Sequence, residues 1–94
     1  MEYNLFIHRA EDYAGVAVAG IRAGDRIRGL VVADGSRIEL DALQDVALAH
    51  KVAVRAAAPG EHLILYGHPA GEATQPIRPG DHVHVHNMKS LRWT

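Results

Sequence analysis

Apolar and polar residues alternate in short runs along this chain, and glycine-containing turns separate the runs, which is the pattern of half-buried strands in a small sheet or barrel. The alternation predicts strands at 4–7, 15–21, 26–32, 37–40, 50–56, 62–66 and 82–87. Helix is scarce. Only 41–48 has the spacing for a turn or two of helix, with Asp41 placed to cap it. A turn device recurs three times, as Ile21-Arg22-Ala23-Gly24-Asp25, as Ala57-Ala58-Pro59-Gly60-Glu61 and as Ile77-Arg78-Pro79-Gly80-Asp81. In each, glycine accepts a positive φ at no steric cost, an acid follows it, and an aliphatic-alternating strand begins. Asp34-Gly35 marks a further tight turn. The expected fold class is mainly β.

Length and composition narrow the picture. Ninety-four residues fit one small domain, 1–94, and the low aromatic content means a core of Val, Ile, Leu and Ala. So small a core leaves little room for an enclosed substrate pocket, which points to a surface site or half of a shared cleft. Ten basic and eleven acidic residues nearly cancel and are interspersed, so there is no basic stripe for nucleic acid. Cysteine is absent, which removes disulfides, thiolate metal sites and thiol nucleophiles and fits a reducing compartment. The first residues carry Glu2 and Asn4 and no long apolar run, so a cytoplasmic chain with no membrane span is expected.

The chemically specific segment is Asp81-His82-Val83-His84-Val85-His86-Asn87. In an extended strand His82, His84 and His86 share one face while Val83 and Val85 face inward. Same-face neighbours lie about 6.5 to 7 Å apart, and two imidazoles at that spacing can lean onto one ion with bonds of about 2.1 Å. A third ligand is required. His8, at the end of the first strand, is the candidate within the chain, and a second polypeptide is the other source. Lys51, at the mouth of a strand, is either a solvated lysine or a point charge for a substrate carboxylate or sulfonate. Asp12 either orients a histidine or caps a turn. His62 and His68 follow turns and are expected at the surface. No nucleophile-base-acid arrangement, phosphate-cradling loop or paired-carboxylate motif is visible.

The order Leu5-Phe6-Ile7-His8, Asp12, Gly15-Val16-Ala17-Val18, His50-Lys51-Val52-Ala53, Tyr66-Gly67-His68, Gly71 and Val83-His84-Val85-His86-Asn87 resembles the SAF domain of altronate and galactarate dehydratases and of sulfolactate sulfo-lyase. The resemblance spans nearly the whole chain. The free-standing length, the stretch 29–45 and the tail Asn87-x-Lys89-x-x-Arg92-Trp93 are most similar to the sulfo-lyase small subunit. The resemblance implies a β-clip fold of short bent strands and an accessory subunit of a lyase that eliminates sulfite or water from a 2-hydroxy acid. It also implies a divalent metal, Fe2+ or a similar ion, and a large catalytic subunit that supplies most of the substrate pocket. Carried over residue by residue, His8, His84 and His86 are the metal-ligand or acid-base candidates, with Lys51 and Asn87 near an anionic 2-hydroxy acid. The chain departs from the family pattern at Ala47 and Ala49, where Pro and Gly are common, at Leu65, where Lys is common, and at Ala70, where Ile is usual.

Two other functions fit the same resemblance. One is the small subunit of an altronate- or galactarate-type sugar-acid dehydratase, distinguished by its leaving group. The other is a non-catalytic carbohydrate-binding module, because SAF-type domains also resemble antifreeze proteins and the C-terminal domain of sialic acid synthases. A domain of this kind taken from its complex exposes surface that is otherwise covered and is open to homo-oligomer formation.

Overall fold

A computed structural model describes residues 2–91; Arg92 and Trp93, part of the tail noted above, lie outside them. Nine strands make up the regular structure: β1 Leu5–Ile7, β2 Ala14–Ala17, β3 Arg26–Val31, β4 Arg37–Asp41, β5 Lys51–Ala53, β6 His62–Leu65, β7 His68–Ala73, β8 His82–Val83 and β9 Met88–Ser90. There is no helix among the described residues, and none long and apolar enough to cross a membrane. Six strands form one sheet in the order β4-β3-β1-β2-β5-β8, and three form a second in the order β6-β7-β9. All neighbours are antiparallel except β1 and β3.

The mainly β expectation holds, with corrections in detail. The segment 41–48 is not helical, because its backbone groups are taken by other parts of the chain. Ala42 N–H donates to Asp25 C=O, Leu43 N–H donates to Gly80 C=O, and Val46 pairs with Ile21 through both its N–H and its C=O. Those bonds replace the internal ladder a helix needs. Asp41 ends β4 and bonds the Arg26 guanidinium at 3.0 Å instead of capping a helix. β7, whose sequence HPAGEA mixes Pro and Gly into the run, and the three-residue β9 were not among the predicted strands. The predicted strand 82–87 is extended only through Val83.

The recurring turn organises the architecture. Gly24, Gly60 and Gly80 have φ of 91°, 88° and 96°. Their N–H groups donate to Ala42, Ala73 and Ala53 C=O, each at 2.8 Å, and those alanines donate back to the C=O of Asp25, Glu61 and Asp81, each at 2.9 Å. The acid side chain then accepts the N–H three residues before it: Arg22 for Asp25, Ala58 for Glu61, Arg78 for Asp81. Each turn therefore grips one buried alanine of another segment and closes itself with a carboxylate.

A fourth turn, Val46-Ala47-Leu48-Ala49-His50, makes the same backbone bonds, Ala49 N–H to Ala17 C=O and Ala17 N–H to His50 C=O, both 2.8 Å. Ala49 occupies the glycine position with φ 73°, and His50 occupies the acid position. The residues that open the four turns pair as Ile21 with Val46 and Ala57 with Ile77, all four buried. Two apolar clusters follow. One is built on Leu5, Ile7, Ile21, Ile27, Val46 and Val52, the other on Leu63, Leu65, Ala73, Ile77 and Val83.

Ala49 is an L-residue in the left-handed region, where Cβ crowds the backbone. Replacing it with glycine is expected to raise the free energy of unfolding by about 1 kcal/mol. Urea denaturation checks this, with a higher midpoint at unchanged slope as the expected result.

Candidate functional site

The turn that places His50 also creates the most distinctive side-chain cluster. With no acid at this position, the imidazole is free to reach across to β8. His50 Nδ1 and His82 Nε2 lie 3.0 Å apart, and the His50 ring centroid is 5.1 Å from that of His82 and 5.2 Å from that of His84. The rings of His82 and His84 are stacked at 5.5 Å. One nitrogen from each of His50, His82 and His84 can be chosen so that all lie within 4.8 Å of one another. Burial, reinforced by the neighbouring charges of His50, His86 and His84, pushes the His82 imidazole below its usual range. A ligand must be neutral to bind metal, so this direction favours coordination. An all-imidazole donor set suits first-row divalent ions.

The histidine segment is not a flat strand. His84 N–H donates to Asn87 Oδ1 at 3.0 Å, and Asn87 Nδ2 donates to His82 C=O at 2.8 Å. The backbone N–H groups of Asn87 and Met88 both donate to His84 C=O. The chain therefore bends at His84 and turns through Val85–Asn87, which leaves Val83 buried and Val85 81% exposed. The expectation that both valines face inward is corrected for Val85 by this bend. Asn87, expected beside substrate, is buried and has both ends of its amide committed to the segment that carries His82 and His84.

The other predicted residues take separate places. His86 is exposed, its ring 5.5 Å from that of His82, and its carbonyl accepts from Gln75. His8 is not in the His50–His82–His84 group. It borders an open cavity of about 260 Å3 together with Lys51, Asp12, Tyr66 and the apolar Val16 and Leu65, and its ring lies 5.0 Å from that of Tyr66. Lys51 also borders the groove that holds His84, Val85 and Met88, so it stands between the cavity and the histidines. The β5 pairings explain this, since Lys51 lies opposite Val16 of β2 on one side and Val83 of β8 on the other. Asp12 caps turns. Its carboxylate accepts the N–H groups of Arg9, Tyr66 and Gly67 at 3.0–3.2 Å. Sequence reasoning put His82 on the chelating face but left it out of the ligand set of His8, His84 and His86, and it missed His50, although the fourth copy of the turn pattern, with His50 at the acid position, carries the signal.

Removing the Asn87 amide strands one donor and one acceptor in a partly buried bend. Asn87→Ala is expected to destabilise the chain by about 2 kcal/mol and to weaken divalent-metal binding by roughly 10-fold to 100-fold through loosened ligands. Thermal unfolding and calorimetric titration with zinc check the two effects.

Comparison with known proteins places the sequence in a family. The family described as the altronate/galactarate dehydratase SAF domain matches residues 3–91. The chain is 36% identical over 94 residues to the (2R)-sulfolactate sulfo-lyase subunit alpha of Chromohalobacter salexigens, covering 99% of this chain and 100% of that one. It is 38% identical over 64 residues to the subunit of the same name from Paracoccus pantotrophus, covering 68% of this chain and 96% of that one. It is also 38% identical over 90 residues to the altronate dehydratase of Escherichia coli, covering 96% of this chain but 17% of that much longer protein. These matches show that the chain belongs to the SAF domain family of altronate and galactarate dehydratases, whose relatives include sulfolactate sulfo-lyase subunits.

Proposed function

We propose that this chain is the small subunit of a metal-dependent lyase that removes sulfite, or water in the alternative, from an anionic 2-hydroxy acid to give a keto acid, and that it acts only with a large chain. The observation that carries the reading is the convergence of three imidazoles from two segments, with Lys51 between them and the His8 cavity. The end-to-end similarity to one sulfo-lyase subunit favours sulfite as the leaving group; the similarity to altronate dehydratases supports the second reading.

Elimination from such an acid takes the proton from the carbon bearing the hydroxyl, expels the group on the next carbon, and leaves an enol that tautomerises to the ketone. A divalent ion, Fe2+ in our reading, supplies Lewis acidity to the substrate's hydroxyl and carboxylate oxygens when bound. In this reading His50, His82 and His84 hold it, in place of a set including His8 and His86. Lys51 neutralises the substrate's anionic end as a point charge. His8, across the cavity, moves a proton to or from the reacting carbon or leaving group. His86 lies at the rim, where the large chain covers it together with Val85. The open face at His84 and Val85 is where the partner completes the pocket, and the small subunit works in the cytoplasm.

Two outcomes test this. Mixed with its large chain and iron, the chain is expected to release sulfite from sulfolactate, with no turnover by either chain alone. Keto acid from altronate without sulfite release would select the dehydratase reading instead. His50→Ala is expected to lower metal affinity roughly 100-fold or more and to remove partner-dependent turnover, whereas His86→Ala retains the metal. Titration of the purified variants with zinc distinguishes the two.

A further inference from the structure

Among the described residues only two non-glycine positions have positive φ, Ala49 at 73° and Tyr66 at 54°. Ala49 precedes His50. Tyr66 lies at the other end of the site, beside His8. Tyr66 and Gly67, the latter with φ 78°, form the two-residue turn between β6 and β7, closed by the Leu65–His68 pair. That is type I′ geometry, whose first position favours Asn, Asp or Gly because the side chain must tolerate the left-handed region. A tyrosine there is strained.

The turn itself does not call for tyrosine. Asp12 holds it by accepting the backbone N–H groups of residues 66 and 67, bonds in which the side chain at 66 takes no part. The core does not call for it either, since Tyr66 is 53% exposed. Its surroundings are the cavity it borders with Lys51 and His8, floored by Ala14, Val16 and Leu65. The Asp12 carboxylate is already occupied by backbone donors, so Lys51, His8 and Tyr66 are the side chains left to bind a polar ligand there. Strain that neither folding nor packing requires, held at a cavity, is the pattern of a functional residue.

We propose that Tyr66 is a substrate-contacting residue of this cavity, whose phenol hydroxyl bonds a carboxylate or hydroxyl oxygen of the anionic 2-hydroxy acid held by Lys51. This rests on the lyase reading above. The strained turn fixes the ring at the cavity wall, which limits the conformational freedom lost on binding.

The test is a comparison of Tyr66→Asn, Tyr66→Phe and wild type in complex with the large chain. Wild type is assayed first with sulfolactate and altronate. Tyr66→Asn relieves the turn and is expected to raise the unfolding midpoint of this chain by roughly 4 °C while raising KM about tenfold or more. Tyr66→Phe keeps the strain and the midpoint but is expected to raise KM roughly fivefold, the effect of one lost hydrogen bond. A Tyr66→Asn complex with unchanged KM and kcat would overturn the assignment, and so would a lowered midpoint, because the ring would then be serving the fold. Absence of turnover by the wild-type complex would overturn the lyase reading beneath it, an outcome visible before any variant is compared.

Discussion

The structure depends on one backbone arrangement, a tight turn whose positive-φ residue and its successor clasp a buried alanine in another segment through two hydrogen bonds. The four copies grip Ala42, Ala17, Ala73 and Ala53, all nearly inaccessible. Short strands of two to six residues cannot hold a sheet together by pairing alone, and these clasps supply the long-range connections between them. The requirement is steric as much as polar. A Cβ on Gly80 would collide with the carbonyl oxygen of Asp41, so the glycine there is fixed by close approach as well as by φ.

The same arrangement explains how a site arises in so small a chain. Three turns use Asp25, Glu61 and Asp81 to close themselves. The fourth gives that position to His50 and accepts a left-handed Ala49 beside it. What the turn loses in self-closure, the site gains as an imidazole directed at His82. On the facing segment Asn87 folds the chain back so that His82 and His84 present stacked rings. Turn chemistry thus builds both halves of the cluster, and β5 carries Lys51 from it to the His8 cavity.

This also accounts for what the sequence reveals and what it hides. The three Gly-acid turns are legible because glycine and an adjacent acid are local signals, and the strands they launch are legible from alternation. The Ala49-His50 turn is hidden because neither residue is the usual one for the geometry, although its backbone bonds match. Alternation in the histidine run is real, but it carries no record of the Asn87 bracket that ends the strand after Val83. The apparent helix at 41–48 fails for a similar reason, since Ala42, Leu43 and Val46 bond to residues distant in sequence. His8 and Lys51 are identifiable as residues, yet only the register of β2, β5 and β8 shows that Lys51 lies between two concavities and that His8 belongs to one of them.

On the proposed reading, the acid-free turn and the Asn87 bend bring His50, His82 and His84 together as one ligand set, and imidazole nitrogen NMR during titration of the chain with zinc reports on that set residue by residue. The ring nitrogens of these three residues are expected to shift together and saturate at one equivalent, while those of His8 and His68 do not move. Shifts confined to His8, His84 and His86, with His50 unaffected, would contradict it.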